Sequence, residues 1–189
     1  FATSLKAKVS ITPLEEEEQI EIISEDFDVQ AKYTYEEFSE ENFHNDHFGK
    51  LIFLAKLIEL FRSHWRDEIG ITIRVASGSP TGAGLGGSSA MGITLYSALC
   101  EYFKVPFERP NAIAVVKDIE AIVLDRGPTG FQDYYPAVYG GILALKAVPG
   151  KIEVEQLYGP ELRQYLQEHI TLVYTNETRN SGINNWDVY

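Results

Sequence analysis

Apolar and polar residues alternate through Leu5, Ala7, Val9 and Ile11, resume after an acidic run as Ile20 to Ile23, and return at Phe27, Val29 and Ala31. A period of two marks half-buried strands, so the opening third predicts an antiparallel meander. Between His47 and Trp65 the period changes. Leu51, Leu54, Leu57, Ile58 and Phe61 recur at helical spacing, which predicts a helix covering one face of the sheet. Ile71, Ile73 and Val75 then alternate with Thr72 and Arg74, a strand that runs straight into a glycine-rich loop. Behind that loop Met91, Leu95, Ala98, Leu99 and Tyr102 predict a helix reaching towards Pro106, and a further helix follows Pro110, from about Asn111 to Leu124. After the loop RGPTG and the segment QDYYPAVYGG come strands at Ile142 to Leu145 and Lys151 to Glu155. A helix near Glu161 to Glu168 and a strand HITLVYT complete the order. This is an α+β order rather than a regular βαβ alternation.

Composition narrows the setting. With 189 residues, 44% of them hydrophobic, the chain can build one substantial domain with a core. A formal charge of −12 with no basic run opposes nucleic acid and anionic membrane surfaces. A lone Cys100 cannot form an internal disulfide, and nothing resembles a signal peptide or a spanning segment, so a cytoplasmic protein is expected. Homo-oligomerisation is left open. The chain opens on Phe1 inside a strand-like run and stops on the apolar-rich SGINNWDVY, which predicts a piece of a longer protein. The Glu15 to Glu18 run beside Pro13 reads as a solvated turn, and His44, His47 and His64 share no metal spacing with a cysteine or carboxylate, which leaves them as surface or interface residues.

The loop PTGAGLGGSSAMG, Pro80 to Gly92, carries the chemistry. Glycines admit positive φ and lack the Cβ that would keep a ligand off the main chain, so several N–H groups can converge on one guest. A helix beginning at Ser88 or Ser89 adds its unpaired N–H groups and positive dipole end, and a polyphosphate suits such a cradle. The alternative is a tight strand-to-helix turn with one of these serines as N-cap. No lysine lies between Pro80 and Cys100, which excludes a Walker loop. Gly82, Gly84 and Gly87 satisfy G-x-G-x-x-G, but the βαβ unit and downstream acid of a dinucleotide site are missing, as are the later signatures of protein kinases.

PTGAGLGGSSA resembles the P-x-x-x-G-L-G-[SG]-S-S-A signature of the GHMP kinases, from Pro80 through Gly84, Leu85 and Gly86 to Ser88, Ser89 and Ala90. The resemblance implies the α+β fold of the GHMP kinase N-terminal domain, a mixed or antiparallel sheet with helices packed on one side. Residues 1–175 would form the ATP-binding domain, truncated at its start, and 176–189 a linker or the beginning of a C-terminal domain. It also implies ATP and Mg2+, with Pro80, Gly82, Ala83, Gly84, Leu85, Gly86, Gly87, Ser88, Ser89 and Ala90 wrapping the phosphates and Ser89 reaching the metal.

Phosphoryl transfer also needs acidic partners. Asp133 stands where a short helix starts, and the residues alone allow a helix-start role or a catalytic one. Glu120 shares a helix stripe with Val116 and Val123, where a carboxylate wants a cation; Lys117 could supply it. G-x-Q-D-x-Y followed by GG is similar to the segment that carries the catalytic aspartate in the sugar-kinase branch, which implies that role for Asp133. The family's magnesium-binding glutamate falls on Glu120, with Asp125 as a weaker alternative. GGSSA, the Ile119-Glu120 pair, GFQDYY and VYTNETRNSG together look most like the D-glycero-D-manno-heptose 7-phosphate kinases. These imply an anomeric hydroxyl as acceptor, with Gln132, Tyr134 and Arg179 on the substrate side; Tyr134 and Tyr135 equally suit simple packing. Asn176 stands where glycine is usual. An N-terminal P-x-R-x-x-x-x-G-x-G-x-D segment and a later glycine-rich motif are missing, so little kinase activity is expected from these residues alone. A kinase of galactose, fucose or mevalonate type and a non-catalytic nucleotide-binding module stay open as alternatives.

Overall fold

In the computed structural model, which describes residues 2–15, 18–66, 70–125 and 129–173, the alternating segments form a four-stranded sheet. Its strands are β1 (Lys8–Leu14), β2 (Gln19–Ser24), β3 (Val29–Thr34) and β4 (Gly70–Ala76), in the order β1-β4-β2-β3. The predicted meander is therefore wrong. β2 and β3 do form an antiparallel hairpin, but β4 enters between β1 and β2, antiparallel to the first and parallel to the second. Burial explains the choice: Ile71, Ile73 and Val75 of β4 are at most 3% exposed, and the most apolar inner row takes the central seat. The sheet is mixed, as expected.

Ile20 and Ile22 of β2 join those side chains on the inner face, where α2 (Ile52–Glu59), α3 (Gly87–Phe103) and α4 (Arg109–Leu124) cover them. Leu51, Leu54, Leu57, Ile58 and Phe61 are all buried, as their spacing predicts. The single helix expected over His47 to Trp65 is instead α2 flanked by 3-10 turns at Gly49–Leu51 and Arg62–His64. Gly49 sits at φ +47, which an α-helix cannot use. A short α1 (Glu40–His44), capped by Ser39 accepting from the Asn42 N–H, was not foreseen. The three main helices approach closely at Gly92, where a Cβ would lie 2.5 Å from Val116 Cγ1 and 2.6 Å from Phe53 Cζ.

On the outer face Glu21 accepts from Gln30 Nε2 at 2.8 Å and from Thr72 Oγ1 at 2.9 Å. These bonds, from Gln30 foremost, hold its carboxyl below the usual range against the opposing effect of burial. After α4 come α5 (Tyr134–Tyr139), the antiparallel hairpin of β5 (Leu143–Val148) and β6 (Lys151–Gln156), and α6 (Pro160–His169). The strand expected from His169 to Thr175 is absent over its described part. Leu172 and Val173 are 68% and 75% exposed, and among the described residues no strand pairs with them.

Candidate active site

β4 ends at Ala76, and the next residues tie that end down. The Ser77 N–H donates to Asp26 Oδ1 at 2.9 Å, Ser79 N–H donates to Ser77 Oγ at 3.2 Å, and Gly78 N–H donates to the Lys6 carbonyl at 3.0 Å. From this anchored base the chain bends through Gly82, Gly84 and Gly86 at φ +75, +70 and +69. Three left-handed residues in alternation are what a chain of L side chains resists and glycine permits. The last of them is the N-cap of α3, which begins at Gly87; no side chain caps it. Neither serine is the cap, contrary to the simple-turn alternative. Ser88 is exposed, whereas Ser89 is 4% exposed inside the first turn. The N–H groups of that turn remain open to an anion, with the helix dipole behind them.

Asp133 faces this turn. A Cβ added to Gly86 would stand 3.1 Å from Asp133 Cβ and 3.4 Å from its Oδ1. Asp133 is the N-cap residue of α5, where a helix start suits its charge, although its side chain makes no capping hydrogen bond. Asp133, Gly86, Leu85, Ala90 and Thr94 share a cavity of about 350 Å³ with the segment from Ala2 to Ala7 and with Pro136, Ala137 and Gly140 of the α5 region. Lys6 is among the residues that line this cavity. Lys6 falls in a strand-like run, and no local pattern signals that it and Asp133 line one cavity.

Glu120, from the apolar stripe of α4, is 8% exposed. Ser89 Oγ lies 3.3 Å from its Oε2 and donates to it, so the loop serine and the helix glutamate meet. Lys117 pairs with its neighbour Asp118, not with Glu120. Asp125 lies exposed at the end of α4 with φ +49. A buried carboxylate with no cationic partner among the described residues, beside a serine oxygen, is a hard oxygen donor set that fits a small divalent ion.

The substrate-side residues separate. Tyr134 is 1% exposed, its hydroxyl donating to Glu120 Oε2, and both burial and that carboxylate push its pKa upward. Tyr135 stacks on Tyr139 with the ring planes 9° apart. Gln132 is exposed and its side chain lies against Gly130 rather than in the cavity. Arg179 and Asn176 lie outside the described residues. Among the histidines, His47 Nε2 is 2.9 Å from Glu37 Oε1, and His64 packs beside the stacked rings of Phe61 and Phe103. No cluster of three or more His, Cys, Asp or Glu suited to a metal occurs among the described residues, nor any helix long and apolar enough to cross a membrane.

Residues 53–141 match the family described as GHMP kinases N terminal domain. A bifunctional fucokinase/GDP-fucose pyrophosphorylase of Arabidopsis thaliana is 26% identical over 140 residues, which are 71% of this chain and 13% of that protein. Among solved structures, a D-glycero-D-manno-heptose 1-phosphate kinase from Bacteriodes thetaiotaomicron superposes with a TM-score of 0.67 at 23% identity, covering 84% of this chain and 50% of that one. The Methanococcus jannaschii mevalonate kinase gives 0.67 at 20% identity, covering 86% and 49%. The chain thus spans half or less of the length of these relatives. At such identities the structural likeness speaks for the fold.

Proposed function

Since residues 53–141 form a GHMP kinase N-terminal domain, we propose that the protein is an ATP-dependent small-molecule kinase, which transfers the γ-phosphoryl group to a hydroxyl of a sugar or sugar phosphate. The acceptor we favour is the anomeric hydroxyl of a heptose 7-phosphate. The observation that carries the reading is the convergence of the uncapped α3 turn, Asp133 and the Ser89–Glu120 pair around one loop.

The open N–H groups of the loop and of the first α3 turn hold the phosphates by charge-assisted hydrogen bonds. Ser89 and Glu120 would hold a magnesium ion, which supplies charge neutralisation on the β and γ phosphates. Asp133, across from Gly86, orients the acceptor hydroxyl and takes its proton as the oxygen attacks in line. Lys6, on the lining of the same cavity, is a cation of the kind that suits phosphate groups bound there. The fucokinase named in one relative favours a sugar over a prenyl alcohol. Arg179 is proposed as a fork for an acceptor phosphate.

Because the chain covers half or less of its relatives, activity is assigned to the whole protein. Asp133→Asn should abolish sugar-dependent ADP release, by at least about a hundredfold on the scale of general-base catalysis, while calorimetry shows ATP binding nearly intact. Full turnover by the variant would refute the assignment. A panel of sugars and sugar phosphates identifies the acceptor.

A further inference from the structure

Tyr134 is buried and does not line the cavity that holds Asp133; its hydroxyl points into the protein. It donates its only hydrogen to Oε2 of Glu120. Ser89 Oγ donates to the same oxygen, a longer contact of 3.3 Å. Thr129 Oγ1 lies 3.0 Å from the Tyr134 hydroxyl and, with that hydrogen already committed, is the donor to it. A carboxylate oxygen offers about two lone-pair directions, so Oε2 is saturated. Among the described residues no donor meets Oε1, which leaves Glu120 with one oxygen to offer.

One-oxygen presentation has a chemical consequence. Magnesium demands near-octahedral geometry, keeps several waters and is content with one oxygen from a carboxylate, whereas calcium takes six to eight oxygens and often engages a carboxylate through both. Resting on the reading of Ser89 and Glu120 as the cation site, we infer that Tyr134 is a positioning residue that fixes Glu120 as a one-oxygen ligand and thereby favours magnesium over calcium. Tyr134 itself touches neither nucleotide nor acceptor. Its ring, buried in the core, acts only through where it pins the carboxylate.

The test is calorimetric and needs no turnover. The dissociation constant of a non-hydrolysable ATP analogue is measured in Mg2+, in Ca2+ and in EDTA for the unaltered protein, Tyr134→Phe and Glu120→Gln. Phenylalanine keeps the ring in its pocket, and a cooperative melt confirms the fold. Losing such a partner of a metal ligand typically costs 10–100-fold in metal affinity. Tyr134→Phe should therefore weaken magnesium-supported binding about tenfold or more, leave calcium-supported binding equal or tighter, and leave the EDTA value within about twofold. A magnesium-to-calcium ratio unchanged within about twofold in Tyr134→Phe, with magnesium dependence lost in Glu120→Gln, overturns the role of Tyr134 alone. If the analogue fails to bind the unaltered protein, or Glu120→Gln keeps full magnesium dependence, the cation-site reading falls and this inference with it.

Discussion

Replacing Gly86 by alanine asks two things of the loop at once. The residue sits at φ +69, a conformation that costs an L residue about 1–2 kcal/mol. The new methyl would also stand 3.1 Å from Asp133 Cβ and 3.2 Å from its Cγ, close enough that one side must give by a few tenths of an ångström. Gly150, in the β5–β6 turn, supplies the control: its φ is +81, but a Cβ there meets nothing within 4 Å. Both substitutions should lower the melting temperature by a similar amount, about 2–8 °C for 1–2 kcal/mol in a domain of this size. They should part company in nucleotide binding. If the loop must hold its left-handed bend to present its N–H groups, strain of about 1–2 kcal/mol depletes the competent form and raises the apparent ATP dissociation constant about 5–30-fold. Gly150→Ala should leave that constant within about twofold of the parent. The measurements are scanning fluorimetry for stability and calorimetry for ATP. An unchanged ATP affinity in Gly86→Ala, at a lowered melting temperature, would show that the bend is not what presents the phosphate donors.

Gly92→Ala drives a methyl into Val116 Cγ1 and Phe53 Cζ; overpacking of this kind should cost about 1–3 kcal/mol and about 2–12 °C in melting temperature, and a variant as stable as the parent would refute the close approach of the three helices. Glu21 has its folded-state pKa lowered beneath the ordinary value of 4.5. Its contribution to stability is therefore fully present above that value and is lost as pH falls through the lower folded-state pKa. Glu21→Gln should melt below the parent near neutrality, with the gap closing in acid; a gap independent of pH would remove the carboxylate from the explanation.

Local chemistry was readable from the chain, and long-range assembly was not. The bend of the glycine-rich loop was evident because glycine density and the paired serines limit what backbone can form there, whatever lies around them. The apolar faces of α2 and α3 were readable for a similar reason, since spacing alone decides which side of a helix is buried. The place of β4 was not, because Lys8 pairs with Ala76 and Ile20 with Ile71, contacts that no window of adjacent residues contains. The same limit hid Lys6 from Asp133 and the Tyr134 hydroxyl from Glu120. Near Leu172 the apolar residues suggest a strand, but a ladder needs a partner, and among the described residues none pairs with them. In α1 a local signal did exist. Ser39 followed by Glu40 and Glu41 is a helix-start pattern, and the short span concealed it.

The central seat of β4 also orders events in time. β1 and the β2–β3 hairpin precede β4 in the chain, yet in the finished sheet β4 lies between them. Pairings of such large sequence separation form slowly, because the intervening chain must be closed before any contact rewards it. The glycine-rich loop hangs from the end of β4, so its anchoring depends on the closed sheet. Nucleotide binding during refolding would therefore report the last step of assembly, and ATP would act as a clamp on the finished sheet rather than as a template for its early strands.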